Sequence, residues 1–387
     1  MSNAPLAGIV GPMAARRFLF LFSDTGGGHR AGAQAVAQAL HDLYGDAVRV
    51  TLVDALVYSR KWPFHRFPAW YPAMLRGGAI PWKIGFRLTD RAFAVEALTR
   101  LAYPYVRPAL RALFQEHPAD VIVSFHALLN RLLGLGVAEA PHPIATATVV
   151  LDILSAHALW FGRGLDRYFL PRKGMTARAQ TLGVPREKII PAGMPVRREM
   201  VEAATMPKAR ARKLLGLEEE GRIVLVVGGG EGMGPMPAVV QALLARKPQA
   251  QIIAMAGRNR TLRHNLLALA SSQPLRVEGF TNQMHLWLRA ADILVTKAGP
   301  NTLAEAFVMA LPIVLYTAIP GQEEGNVLLV QEHDAGVWAP GPNRAADAVL
   351  ALLADESRRR AMARRAGELA TPRAAATIAR ELFSLAR

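Results

Sequence analysis

The sequence predicts two doubly wound α/β domains in tandem, because one order of strand, glycine loop and helix occurs twice along the chain. The first copy begins at residues 17–23 (RFLFLFS), an apolar run typical of a buried strand, and continues through DTGGGHR into an alanine-rich helix. The second copy begins at residues 221–234 (GRIVLVVGGGEGMG) and continues into the helical segment MPAVVQALLAR. A strand that enters a glycine loop and then a helix is the unit of doubly wound sheets.

Further short apolar runs follow each opening, and helical segments separate them. They predict strands at 48–56, 119–127, 145–153, 168–171 and 188–196, and then at 251–257, 275–280, 292–299 and 311–318. The charged segment at 197–220 is the natural connection between the two series. The predicted organisation is an N-terminal domain at 1–198, a C-terminal domain at 199–370 and a last helix at 371–387 that packs back on the N-terminal domain.

The composition excludes several classes of protein. Of the 387 residues, 51% are hydrophobic, which excludes a disordered chain and provides for sizeable cores. There is no cysteine, so disulfides, thiolate nucleophiles and thiolate metal ligands are excluded. No run reaches the roughly 18 consecutive apolar residues of a membrane-spanning helix. The FLFLF run leads into a glycine turn rather than a cleavage site, so we expect a soluble or peripheral protein without a signal peptide.

Positive charge and aromatic rings are concentrated in one insertion. The chain carries 46 Lys+Arg and 30 Asp+Glu, a net charge of +16. Residues 58–111 hold ten Lys/Arg, two acids and eleven of the 27 aromatic residues. The segment joins the second and third predicted strands and is too long for an ordinary connection, so it predicts one or two amphipathic helices around a loop.

Two interpretations of the insertion stay open. Aromatic rings among cations are typical of a helix lying at the surface of an anionic membrane. The residues that would take this role are Trp62, Phe64, Arg66, Trp70, Trp82, Lys83 and Arg87. The same spacing fits a helical subdomain with aromatic side chains in its core and arginines in solvent. Nucleic acid is a third partner that the charge suggests, but no nucleic-acid-binding module is visible, and we expect no such partner.

The first glycine loop contains the candidate general base. Glycines at 26–28 allow a ligand to approach closely, and the helix that follows presents backbone N–H groups. The loop lacks the Lys-Ser/Thr pair of a P-loop and the spacing of a dinucleotide fingerprint. His29 follows the loop directly and has an ordinary pKa near neutrality, so it is the residue we expect to accept a proton.

Three further loops are typical of a nucleotide-sugar site. They follow predicted strands of the second series, so they lie at the carboxyl ends of a parallel sheet, where ligands bind. Small residues and helix-start amides suit phosphate, and carboxylates suit ribose or sugar hydroxyls. The candidate donor-binding residues of these loops are Gly229, Gly230, Gly232, Gly299, Pro300, Asn301, Thr302, Glu305, Gln322, Glu323 and Asn326, and Gly28 of the first glycine loop joins them.

Five motifs occur in order and at suitable spacing: SDTGGGHR, GGGEGMGP, GFTNQM, TKAGPNT and PGQEEGN. Together they resemble the diacylglycerol glycosyltransferases of the monogalactosyldiacylglycerol synthase type. The resemblance implies a GT-B fold, in which two Rossmann-like domains face each other across a cleft. It also implies a monotopic membrane enzyme that transfers a hexose from a UDP-sugar with inversion and needs neither a metal nor another cofactor.

The resemblance also implies roles for single residues. His29 matches the family's proposed base. Asp152, in VVLDILSAHALWF, is an alternative base, and a structural aspartate at a strand end fits this position equally well. Glu305 matches the carboxylate that binds ribose, while Gln322 and Glu323 match the pair near the donor sugar.

The remaining positions concern the uracil, the diphosphate and the acceptor. Phe280 lies where the family contacts uracil through its backbone, and Trp160 lies on the acceptor side. His126 is similar to a family position, although a packed strand-end histidine fits it better. Asn301 departs from the family, because glycine is frequent there. The least similar segment is 57–110.

The expected reaction moves a hexose, with galactose favoured, to the 3-hydroxyl of 1,2-diacylglycerol and yields a β-glycosyl diacylglycerol. A UDP-glucose-dependent enzyme and a UDP-sugar 2-epimerase of the same fold are the alternatives. The expected partners are UDP-sugar, diacylglycerol and anionic membrane lipids. The expected location is cytoplasmic, peripheral on the inner face of the cell membrane.

Overall fold

The computed structural model describes residues 15–25, 27–77, 79–269 and 275–386. Its strands are β1 (Arg16–Phe22), β2 (Val48–Asp54), β3 (Val121–Ser124), β4 (Ala145–Val149), β5 (Arg167–Leu170), β6 (Ile189–Pro191), β7 (Ile223–Val227), β8 (Gln251–Met255), β9 (Leu275–Glu278), β10 (Ile293–Lys297), β11 (Ile313–Thr317) and β12 (Gly336–Trp338).

The α-helices alternate with these strands. They are α1 (Gly28–Tyr44), α2 (Ala55–Tyr58), α3 (Phe67–Gly77), α4 (Ala79–Thr89), α5 (Ala92–Glu116), α6 (Asn130–Ala138), α7 (Thr176–Thr181), α8 (Arg198–Thr205), α9 (Lys208–Leu214), α10 (Met236–Ala245), α11 (Arg260–Leu267), α12 (Met284–Ala290), α13 (Pro300–Val308), α14 (Glu324–Glu332), α15 (Pro342–Ala354), α16 (Glu356–Glu368) and α17 (Ala374–Leu385).

The strands form two parallel six-stranded sheets, which confirms the predicted α/β class. The first sheet has the order β2-β1-β3-β4-β5-β6, and the second has the order β12-β11-β10-β7-β8-β9. The central strands are apolar and buried, as β7 (IVLVV) illustrates, because helices cover both faces of a doubly wound sheet, whereas edge strands such as β2 and β9 are partly accessible. Every strand that the sequence predicts is present, although most are shorter at their carboxyl ends. The sequence analysis does not predict β12, a three-residue edge strand.

The insertion between β2 and β3 contains α2, α3, α4 and α5, rather than one or two helices. Helix α5 is 25 residues long and contains Pro104 and Pro108. Trp62, Trp70, Leu88, Phe93 and Leu101 on this insertion are exposed, with Leu101 81% accessible. Within the described residues, no helix is both long and apolar enough to cross a membrane.

The last helix, α17, packs against α1 of the N-terminal domain. Arg16 donates a hydrogen bond to the carbonyl of Phe383 at 2.6 Å, and the rings of Phe383 and Tyr44 stack with their centres 3.7 Å apart. Shortly before α17, the hydroxyl of Thr371 accepts a hydrogen bond from the amide of Met194 at 3.1 Å. The chain therefore passes between the two sheets twice, once near α8 and once near Thr371.

Candidate active site

A cleft of about 360 Å³ lies between the carboxyl ends of the two sheets. Residues of both domains line it. It brings together thirteen of the residues that the sequence singles out: Gly28, His29, Asp152, Gly229, Gly230, Phe280, Gly299, Pro300, Asn301, Thr302, Glu305, Gln322 and Glu323.

The position of the cleft follows from the strand orders. β1 has β2 on one side and β3 on the other, and β7 likewise lies between β8 and β10. Connections leave such a strand in opposite directions, which opens a crevice at the carboxyl ends, called a topological switch point. The loops after β1 and β3 line the first switch point, and the loops after β7 and β10 line the second. The two crevices face each other.

His29 is held at the first switch point by a backbone carbonyl. Its Nδ1 donates a hydrogen bond to the carbonyl of Phe125, which follows β3, at 2.7 Å. Burial lowers the pKa of His29 to about 4, so its imidazole is neutral at physiological pH. Because Nδ1 carries the proton, Nε2 has the lone pair, which is the state that a general base requires.

His126 packs beneath His29 and has a structural role. The two rings are 4.5 Å apart between centres. Nδ1 of His126 accepts a hydrogen bond from the amide of Leu128 at 3.3 Å, so Nε2 carries the proton and lies 3.2 Å from the hydroxyl of Thr25. Burial lowers the pKa of His126 well below its ordinary value. The strand-end packing predicted for this residue agrees with its burial.

Asp152 is a buried carboxyl that Trp160 holds in place. Nε1 of Trp160 donates to Oδ2 of Asp152 at 2.6 Å. Burial raises the pKa of Asp152 to about 6. Trp160 is only 1% exposed, so it does not lie at a membrane surface, and its ring centre is 6.0 Å from that of His29. It is a core residue that positions the carboxyl.

The second switch point presents amides and a buried ion pair. Helix α13 begins with Pro300 after Gly299, so the amides of its first turn face the cleft. Nζ of Lys297, at the end of β10, forms an ion pair with Glu323, whose second oxygen accepts from the amide of Ile319 at 3.0 Å. Burial raises the pKa of Glu305, one turn into α13, to about 7.

The outer end of the cleft carries an exposed ring next to a guanidinium. Phe280 is 54% exposed, and the guanidinium carbon of Arg258 lies 4.1 Å from its ring centre. Arg258 also pairs with Glu231 of the second glycine loop at 3.3 Å. Three further residues that line the cleft, Arg258, Lys297 and Tyr71, are not predicted from the sequence. Lys297 stands inside the TKAGPNT motif, which was a usable signal for it.

Two predicted donor-binding residues lie outside the cleft wall and support it. A Cβ on Gly232 would come within 2.4 Å of the Leu262 side chain and 2.8 Å of the Ala256 carbonyl, so glycine lets the loop pack there. Asn326 is buried, and its Nδ2 donates to the carbonyl of Ala298 at 2.9 Å, which stabilises the turn before α13.

The predicted membrane residues divide into two groups. Trp62 and Trp70 are 64% and 41% exposed, and Arg66 and Arg87 are also exposed. Phe64 packs against the core of the N-terminal domain, and Trp82 is half-buried. Lys83 forms an ion pair of 2.6 Å with Glu324 of the C-terminal domain, and Arg87 lies 3.9 Å from the same carboxylate. Lys83 therefore faces the donor loop.

Two family models together match most of the chain. The model for monogalactosyldiacylglycerol (MGDG) synthase matches residues 29–196, and that for the glycosyltransferase family 28 C-terminal domain matches residues 223–375. The chloroplastic monogalactosyldiacylglycerol synthase 2 of Arabidopsis thaliana is 34% identical over 87% of this chain and 74% of the relative. Synthase 1 of the same plant is 32% identical, over 96% of this chain and 71% of the relative.

Solved structures with the same architecture support the fold assignment. MurG of Acinetobacter baumannii has a TM-score of 0.61 at 15% identity and covers 95% of this chain and 99% of its own. MnaA of S. aureus, solved with UDP, has a TM-score of 0.61 at 12% identity and covers 94% of each chain. The chain therefore belongs to the monogalactosyldiacylglycerol synthase family and is a glycosyltransferase with the GT-B fold.

Proposed function

We propose that this enzyme transfers galactose from UDP-galactose to the 3-hydroxyl of 1,2-diacylglycerol at a membrane surface, with inversion at the anomeric carbon. The observation that carries the proposal is the neutral imidazole of His29, which is held with its lone pair available inside the cleft. The loops of the family motifs face it from the other domain. The relatives are named for galactose transfer to diacylglycerol.

The second switch point suits the donor. The amides at the start of α13 and the loop after β7 would hold the diphosphate, because helix N-termini bind anions. Glu305 would accept hydrogen bonds from the ribose, and the Phe280 ring with Arg258 would border the uracil. Gln322 and Glu323 lie deeper in the cleft and would contact the hexose.

The chemical step requires one proton acceptor and one leaving group. Nε2 of His29 removes the proton of the 3-hydroxyl while the oxygen forms a bond with C1 of the hexose. The bond between C1 and the phosphate oxygen breaks, and UDP leaves with the electron pair. One displacement converts an α-linked donor into a β-glycoside, and His29 then releases its proton to solvent.

The charge that develops on UDP would be stabilised by the protein itself. The amides of α13 and the guanidinium of Arg258 face the cleft and are the groups suited to this task. We propose that neither a metal nor another cofactor takes part. Transfer that continues at an unchanged rate in excess EDTA is the expected result, and restoration of lost activity by added Mg²⁺ or Mn²⁺ would contradict it.

The insertion would bring the cleft to the lipid. Trp62, Trp70, Leu88, Phe93 and Leu101 expose apolar surface beside a strongly basic segment, a combination that favours anionic membranes. Diacylglycerol stays in the bilayer, so its hydroxyl must be reached from the membrane surface. We place the enzyme on the inner face of the cell membrane, where the donor is supplied from the cytoplasm.

The deciding experiment offers purified enzyme diacylglycerol in vesicles, with UDP-galactose and UDP-glucose in parallel. We expect a β-galactosyl lipid, formed faster on vesicles that contain an anionic phospholipid than on neutral ones. A glucosyl product would reassign the donor. Conversion of a UDP-sugar to its 2-epimer without any glycolipid would replace the proposal with epimerisation.

A further inference from the structure

Helices α3 and α4 of the insertion contact the loop between β11 and α14. The hydroxyl of Tyr71, on α3, donates to Oε1 of Gln322 at 2.9 Å. The ring of Phe86, on α4, lies where a Cβ on Gly321 would come within 3.1 Å of it. Two successive positions of this loop are thus in contact with helices of the other domain.

The hydroxyl of Tyr71 fixes the orientation of the Gln322 amide. It donates to Oε1, so the NH₂ group of Gln322 is directed away from Tyr71. Gln322 also helps to lower the pKa of the Asp152 carboxyl, against the larger effect of burial.

The side chain of Tyr71 is rigid. It is 7% exposed, and its ring packs against Trp82 and Phe67, with centres 5.5 Å and 5.9 Å away. These two aromatic contacts restrict the movement of the ring and so of its hydroxyl. Its ring also lines the cleft.

We infer that Tyr71 is a positioning residue for the donor hexose, which acts by holding the Gln322 amide so that its NH₂ group faces the hexose hydroxyls. The inference rests on the proposed function, because it requires a hexose beside Gln322. If the hydroxyl is lost, the amide can rotate and present its oxygen to the sugar. Recognition of the hexose then depends on a residue of the insertion as well as on the C-terminal domain.

The test compares the binding of UDP-galactose with that of UDP in a double-mutant cycle. The variants are Tyr71→Phe, Gln322→Ala and the double variant, and binding is measured by calorimetry. We expect Tyr71→Phe to weaken UDP-galactose about fivefold, the size of one hydrogen bond, and to change UDP affinity less than twofold. In the Gln322→Ala background the same change should have less than a twofold effect. Tyr44→Phe, at the other end of α1 from His29, is the matched control and should leave both affinities unchanged.

The outcomes separate this inference from the proposed function. Equal weakening of UDP and UDP-galactose by Tyr71→Phe would show a merely structural role and overturn the inference. Independent, multiplicative effects of the two substitutions would also overturn it, because Tyr71 would not act through Gln322. A hexose-specific loss in Tyr71→Phe, together with a wild-type enzyme that forms no glycolipid, would support the role of Tyr71 while refuting diacylglycerol as the acceptor.

Discussion

The two switch points that face each other across the cleft differ in polarity and charge. At β1 and β3, burial keeps His29 uncharged, while the carbonyl of Phe125 accepts the Nδ1–H and fixes the orientation of the ring. At β7 and β10, glycines, helix-start amides and the pair of Lys297 and Glu323 form a polar, charged wall. The same topology therefore supplies a proton acceptor in one half and an anion-binding surface in the other, because the residues after the strands differ.

Removal of the imidazole is expected to have the largest effect and tests this division directly. His29→Ala should lower kcat about 10³-fold, the usual contribution of a general base, while UDP affinity changes less than threefold. Transfer assays and calorimetry measure the two quantities. His41→Gln, an exposed histidine on the same helix, is the control and should keep full activity. A parallel loss of UDP binding in His29→Ala would place part of the donor site in the N-terminal domain.

Breaking the ion pair of the second switch point should be costly to folding. In Lys297→Met, the carboxylate of Glu323, which is 2% exposed, is left without its cation, and we expect a loss of about 3 kcal/mol in the free energy of unfolding. Denaturant unfolding measures it. Addition of Glu323→Leu should restore most of the stability but not donor binding. If the double variant bound UDP-galactose normally, the pair would serve stability alone.

Disruption of the contact between the two switch points should have a smaller effect on activity. Nδ2 of Asn301 donates to the carbonyl of Gly28 at 2.7 Å, and a Cβ on Gly28 would come within 2.6 Å of the same nitrogen. Gly28→Ala should therefore push the two loops apart and lower kcat/KM about tenfold, the equivalent of about 1.4 kcal/mol. Asn301→Gly added to it removes the clash and should recover most of the activity. A failure to recover would locate the damage within the N-terminal loop.

The pH dependence of kcat/KM should distinguish the titration of the Asp152 carboxyl from that of the His29 imidazole. Asp152 is ionised above its pKa of about 6 and His29 is neutral above its pKa of about 4, so kcat/KM of the wild type should fall as the pH drops through 6. In Asp152→Asn the rate is lower, and the step near pH 6 should disappear from the acid limb, because Glu305, with a pKa of about 7, and His29, with a pKa of about 4, then remain to titrate. Asp46→Asn, at an exposed position, is the control that should keep the limb near 6. An unmoved limb in Asp152→Asn would show that another group controls it.

The sequence predicted the parts of this site that depend on local order. A strand followed by a glycine loop fixes where each switch point lies, so His29 and the turn at Gly299 could be placed without a structure. The interactions across the cleft could not, because Lys83 and Glu324 are 241 residues apart and their ion pair depends on how the domains meet. The packing of Phe64 against the core could not be predicted for another reason: aromatic residues have the same spacing in a core as on a membrane face.

The packing of α17 on α1 has a consequence for how the enzyme can open. Because the chain crosses between the sheets near α8 and again near Thr371, the C-terminal domain is joined to the N-terminal domain at two points rather than by a single tether. Two attachment points define a line, so this geometry favours a hinge rotation of the domains about that axis over rotation about other axes. The two walls of the cleft would then return to the same relative position after each turnover. A reaction between groups on opposite walls requires this.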